Sequence, residues 1–232
     1  MIQIQKADDR GKTELGWLHS RHTFSFGGFY DPERMGFRSL RVINDDIVEP
    51  GKGFATHGHK DAEIFSYVLE GELEHKDSMG NGSVIQAGNL QYMSAGDGVT
   101  HSEFNPSKTE RVHFLQIWLL PNQSGGKPIY AEKQLGTLAA DHSLTLLFSG
   151  QPRAGAIAIR QDADVYLGKL ANGESLTLDL PAGRAAWIQL VAGNLALLDN
   201  AVTAGDGAVI TDVDKIAMRS QSASEFLLFV LP

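Results

Sequence analysis

Residues 53–65 read GFATHGHKDAEIF and set two histidines, His57 and His59, one residue apart, with Glu63 four positions further on. In an extended strand, side chains at i and i+2 point to the same face, so a His-x-His pair offers two imidazoles to one side of a sheet. A second pair with the same spacing, His101 and Glu103, lies in SAGDGVTHSEFN, residues 94–105. If both strands face inward in one barrel, four donors converge on one point. A lone His-x-His pair is more often solvated than ligating. His75, beside Lys76 in what reads as a polar turn, and His113, on a core strand, are taken as having no such role.

The rest of the chain supplies a barrel. SLRVIND, EIFSYVLEG, NLQYMSAG, RVHFLQIWLL, AAWIQLVAG, NLALLD and EFLLFVL are short alternating or β-branched runs that read as strands. Between them stand EPGKG, DSMGNG, SAGDG and LPAG, which are turn sequences, and 25 glycines with no long amphipathic stretch favour an all-β protein. PNQSGGKPIY (121–130) reads as a linker, which predicts domains at 1–125 and 126–232. YVLEGELEH and QAGNLQYM in the first half have counterparts in the second, QLVAGNLAL and TAGDGAVI, as in a duplicated barrel.

Composition narrows the chemistry. A net charge of -8 without a Lys or Arg cluster argues against direct nucleic-acid binding. The absence of cysteine removes disulfides and thiolate ligands, so any metal must be held by nitrogen and oxygen donors. The polar N-terminus lacks an apolar signal core, and FLLFVL is too short to cross a bilayer, so the expected location is cytoplasmic, with no membrane partner.

The glycine framing of the two pairs resembles the cupin superfamily. Gly51 stands six residues before His57, Glu63 follows His59, and Gly71 closes the first motif; Gly88, His101 and Asn105 form the second. Seven residues rather than six separate Glu63 from Gly71, the second glycine lies further from its histidine, and Ser94 replaces the usual proline. Within that superfamily, HTFSFGGFYDPERMGFRSLRVINDD (22–46), YVLEGELEHKDSMGN (67–81) and MSAGDGVTHSEFNPS (93–107) resemble the pirin family. Gly58 and Ala62 stand where proline and methionine are usual, and neither change removes a donor.

The resemblance implies two cupin (jelly-roll) β-barrels in tandem, a bicupin, with the metal in the first. The general cupin pattern would choose Glu63 as the carboxylate ligand, whereas pirins use the position of Glu103, which also shares a face with His101. The expected ligands are therefore His57, His59, His101 and Glu103, around one divalent transition metal ion. Fe(II) is expected first; Zn(II), Ni(II), Mn(II) and Cu(II) suit the same donors. Glu63 is left as an acid behind the ligands or facing the substrate, with an exposed glutamate opening a strand as the plain alternative. One carboxylate leaves the centre at +1, which favours an anionic ligand such as a phenolate.

Pirin-like bacterial proteins are associated with quercetin 2,3-dioxygenase activity, so the resemblance implies a flavonol-like substrate and O2. On that reading Glu103 takes the 3-hydroxyl proton, dioxygen adds across the heterocycle and carbon monoxide leaves. The competing expectation is a metal-dependent redox sensor that acts as a co-regulator through a protein partner, without turnover. Another cupin enzyme, an isomerase or oxalate-type oxidase, comes third.

Matching Gly193 to Gly71 and Gly205 to Gly88 sets Asp179, Pro181, Met218 and Ser220 at the four donor positions, and His142 is the only histidine beyond residue 113. The second barrel is thus expected to lack a metal and to brace the first. Phe24, Phe26, Phe29 and Tyr30 are expected to pack between domains or to line the pocket mouth.

Overall fold

The structure is a computed structural model that describes residues 1–136 and 143–232, so His142 lies outside the described residues. Among them there is no α-helix, and no helix is long and apolar enough to cross a membrane. Among the described residues two compact units form, residues 10–136 and residues 1–9 with 143–232. The boundary expected at 125 is displaced because Ile129–Lys133, within and after the supposed linker, pair antiparallel with Leu90–Ser94. The first nine residues join the other unit because Ile2–Gln5 (β1) pair with Gly207–Ile210.

The first unit is built from β2 (Gly11–Glu14), β3 (Leu18–His22), β4 (Leu40–Val48), β5 (Gly53–His59), β6 (Glu63–Glu70) and β7 (Glu72–Asp77). Strands β8 (Gly82–Gln86), β9 (Leu90–Ser94), β10 (Val99–Phe104), β11 (Val112–Leu119) and β12 (Ile129–Lys133) complete it. One sheet has the order β12-β9-β6-β11-β4-β3-β2 and the other β5-β10-β7-β8.

Two apolar clusters fill this barrel, one around Val48, Val68, Val112 and Phe114, the other around Ile64, Met93 and Val99 with Trp118 packed on it. Between them runs a row of polar residues fixed by strand register. His22 pairs with Asn44, Asn44 with Gln116, Gln116 with Ser66, and Ser66 with Gln91. The period of two makes the row: Phe114 and Trp118 flank Gln116 on the same face, as Val68 and Ile64 flank Ser66.

The second unit repeats the plan with β13 (Leu144–Ser149), β14 (Ile157–Ala158), β15 (Asp164–Leu170), β16 (Ser175–Asp179) and β17 (Ala185–Ala192). It continues with β18 (Asn194–Leu197), β19 (Asn200–Thr203), β20 (Gly207–Ile210), β21 (Lys215–Ser220) and β22 (Ser224–Leu231). Its sheets run β1-β20-β17-β22-β15-β13-β14 and β16-β21-β18-β19, the order of the first unit, with β1 at the edge that β12 takes there. The matched glycines serve one purpose. Gly71 and Gly193 sit at φ 74° and 82°, and a Cβ on either would lie 2.4 and 2.2 Å from a backbone carbonyl oxygen, of Arg111 and Ala223. Only glycine meets both demands. Among the described residues an apolar core that includes Leu170, Ile188, Met218, Phe226 and Val230 fills the interior of this unit.

Candidate metal centre

Strands β5 and β10 pair antiparallel with His57 opposite His101 and His59 opposite Val99. That register brings three rings together: the centroids of His57, His59 and His101 lie 4.7, 4.6 and 4.9 Å apart. One nitrogen from each lies within 4.8 Å of the others, the arrangement of a site that can hold a metal ion.

The ring nitrogens are free for that purpose. Nδ1 of His57 lies 2.8 Å from the Ala55 carbonyl oxygen, which can only accept, so Nδ1 carries the proton and Nε2 keeps its lone pair. Nε2 of His59 and both nitrogens of His101 are buried without a hydrogen-bond partner. Buried imidazole nitrogens left unpaired cost about 1–3 kcal/mol each, and here they face one another. Burial, then the neighbouring His101 and His57, lowers the pKa of His59 to about 4. Burial, then His57 and His75, lowers that of His101 to about 3. Both rings are neutral at pH 7, the form that ligates a divalent transition metal, and the site fits one.

Glu103 is fully buried two residues beyond His101, across a shift in register that places it opposite Phe54. Ser66 Oγ and Gln91 Nε2 donate to its Oε1 at 2.9 and 2.7 Å, and Gln116 Nε2 donates to its Oε2 at 2.8 Å. Its negative charge acts on His59. Three members of the polar row therefore hold one carboxylate beside the histidines.

Glu63 is placed elsewhere. It is buried, taking hydrogen bonds from Tyr92 Oη and from Ser94 Oγ, the latter at 2.6 Å. By alternation these residues lie on the opposite face of the sheet from Ser66 and Gln91. An exposed glutamate is thus corrected, and its position is away from the space in front of the histidines.

That space is a cavity of about 820 Å3 within the first unit, in the size range of ligand pockets. His57, His59 and Gln116 open into it, and so does Asp46; Trp17, Phe26, Phe54 and Trp118 supply aromatic wall. Trp17 meets Phe54 edge-on at 5.4 Å, Phe26 meets Trp118 at 5.5 Å, and Trp118 lies 4.8 Å from His59. Of the N-terminal aromatics, Phe26 lines the cavity, Phe29 stacks on His22, Phe24 is buried and Tyr30 is 74% exposed.

His75 differs from the expectation of a polar turn. It is buried on β7, bonded through Nε2 to Asp77, stacked on Tyr130 at 4.6 Å and 5.4 Å from His101. His113 is tied to Asp45, which also takes Arg10. Ser66, Gln91, Gln116 and Asp46 were not singled out by sequence reasoning. Their signal is a polar residue at an inward position of an otherwise apolar strand, visible only once the register is known.

In the second unit the counting by glycines is corrected. Met218 pairs with Leu176, and Ile216 with Leu178, so Leu176 and Leu178 hold the places of His57 and His59. Leu176 lies 17 residues before Gly193, whereas His57 lies 14 before Gly71, and the ungapped count missed those three. Asp179 instead pairs with Lys215 in an exposed ion pair.

A family model for Pirin matches residues 3–119 and one for the quercetinase C-terminal cupin domain matches 146–231. The quercetin 2,3-dioxygenase of Escherichia coli (strain K12) is 46% identical over 232 residues, covering 100% of this chain and 99% of that protein. A putative quercetin 2,3-dioxygenase of Pasteurella multocida is 41% identical, with full coverage of both chains. The crystal structure of YhhW from Escherichia coli superposes with a TM-score of 0.97 at 46% identity, covering 100% of this chain and 98% of that one. A second crystal structure, of the bacterial pirin YhhW in complex with nickel(II), gives 0.96 at 45% identity, covering 100% and 99%. The Pirin match spans the barrel that carries the three histidines, the second cupin match spans the barrel that lacks them, and the likeness runs end to end: this chain belongs to the pirin family.

Proposed function

We propose that this chain is a mononuclear metal-dependent dioxygenase of the quercetin 2,3-dioxygenase type, with His57, His59, His101 and Glu103 as protein ligands and Fe(II) as the ion. The observation that carries this reading is the convergence of three imidazoles with free nitrogens, two of which, His57 and His59, line a cavity with aromatic wall. The full-length likeness to a quercetin 2,3-dioxygenase supports the activity, and the nickel(II) complex of YhhW supports a divalent ion. The cytoplasm is the proposed location.

When bound, the ion would supply a Lewis acid that makes a substrate hydroxyl more acidic and an electron partner for dioxygen. The chain's residues do the rest. Trp17, Phe26, Phe54 and Trp118 take up the flat rings of a flavonol and exclude water. Glu103, held by Ser66, Gln91 and Gln116, takes the proton of the 3-hydroxyl. Ala55 fixes the tautomer of His57. The heterocycle opens as one dioxygen is consumed and one carbon monoxide leaves.

Oxygen uptake with quercetin, measured on apoprotein reconstituted separately with Fe(II), Mn(II), Ni(II), Cu(II) and Zn(II), tests the proposal. Uptake with stoichiometric carbon monoxide is expected, fastest with Fe(II), and His101→Ala should lose at least about a hundredfold of it along with the metal. No uptake from any form that holds its metal would sink the dioxygenase and favour the co-regulator.

A further inference from the structure

One acceptor in the cavity wall has nothing to accept. Asp46, on β4, is only 2% exposed, lines the cavity, and has an Oδ1 without a hydrogen-bond partner. Its register partner Ser20 bonds to the same carboxyl group. The neighbouring polar groups are already matched: His22 Nδ1 donates to Asn44 Oδ1 at 2.8 Å, and the Thr13 hydroxyl donates to His22 Nε2 at 2.8 Å. The free oxygen therefore belongs to a residue in a wall whose exposed surface is largely apolar. Two residues before Asp46 on the same strand, Asn44 also lines the cavity and pairs with Gln116, the donor to Glu103 Oε2.

A buried acceptor facing an apolar space discriminates sharply between a ligand that brings a donor and one that does not, because the second leaves it unpaired. Aromatic walls select flat rings but do not count hydroxyl groups. We infer that Asp46 is a specificity-determining residue whose Oδ1 accepts a hydrogen bond from a ring hydroxyl of the substrate, so that the cavity selects polyhydroxylated aromatics over bare ones. The inference rests on the proposed dioxygenase reading for its substrate class, but binding alone can test it.

The test compares quercetin with 3-hydroxyflavone, which keeps the reacting hydroxyl and lacks the others, on the metal-loaded protein. Wild type should favour quercetin in kcat/KM by about tenfold or more, and Asp46→Ala should erase most of that ratio. Asp46→Asn, which retains an acceptor oxygen, should recover part of it. Loss of both substrates in equal proportion in Asp46→Ala, or an unchanged ratio, overturns the inference. If Asp46→Ala does not fold, equal kcat/KM for the two flavonols in wild type overturns it. If neither flavonol turns over, quenching of Trp17 and Trp118 fluorescence reads binding directly. An Asp46-dependent preference for quercetin then sinks only the dioxygenase, while equal binding or none sinks the recognition.

Discussion

The two barrels share strand order and strand register but not what lines them. In the first, the row across five strands is His22, Asn44, Gln116, Ser66 and Gln91. In the second, the same row is Leu146, Tyr166, Leu228, Ile188 and Ala208. Leu176, Leu178 and Met218 replace the three histidines, and Met218 belongs to the apolar core. Asp46 has its counterpart in Gly168, where a Cβ would lie 2.0 Å from the Phe226 ring. The lesson is that a jelly roll tolerates either interior. An apolar row closes a core, and a polar one needs a charge to organise it, supplied here by Glu103.

Exchanging residues between the two rows tests that lesson. Leu228→Gln puts an amide with no partner into the apolar core and should cost about 2–4 kcal/mol in denaturant unfolding, with flavonol turnover intact. An unchanged midpoint would mean that the second interior is not closed. Gly168→Ala should cost about 1–3 kcal/mol by overpacking against Phe226, again without touching turnover. The reverse exchange, Gln116→Leu, removes one of the three donors to Glu103 and should lower kcat or metal affinity by about 10- to 100-fold. If neither moves, the row is not what holds the carboxylate.

The smallest effect concerns pH. Burial pushes the pKa of Asp46 up to about 7 from an ordinary 3.8; the Ser20 hydrogen bond opposes this, and the charges of Asp45 and Glu103 add to it. The folded state thus binds that proton more tightly than the unfolded one. The stability it contributes is complete below about pH 4 and is lost as pH rises through about 7. Asp46→Asn has no charge to bury and should raise Tm by a few degrees at pH 8 and hardly at pH 4. Equal shifts at both values would place the effect outside Asp46 ionisation.

The all-β class, the duplication and the three histidines were legible because each rests on a local pattern: alternation, a left-handed glycine turn, and i, i+2 spacing on a strand. Gly71 and Gly193 matched because one backbone geometry imposes glycine twice. The linker was misplaced because Pro and Gly mark turns, and a turn does not reveal that Ile129–Lys133 pair with Leu90–Ser94. His75 was passed over because its neighbour Lys76 looks solvated, although alternation sends the two to opposite faces.

The sequence by itself determined that this chain forms two barrels and that the first carries metal-binding donors, since strand periodicity and turn chemistry act over a few residues. Only the tertiary structure decided which polar residues meet them. Ser66, Gln91, Gln116 and Glu103 come from four strands, and Asp46 from a fifth. Their convergence depends on cross-strand register, which is set by the packing of the whole barrel and not by any segment read alone.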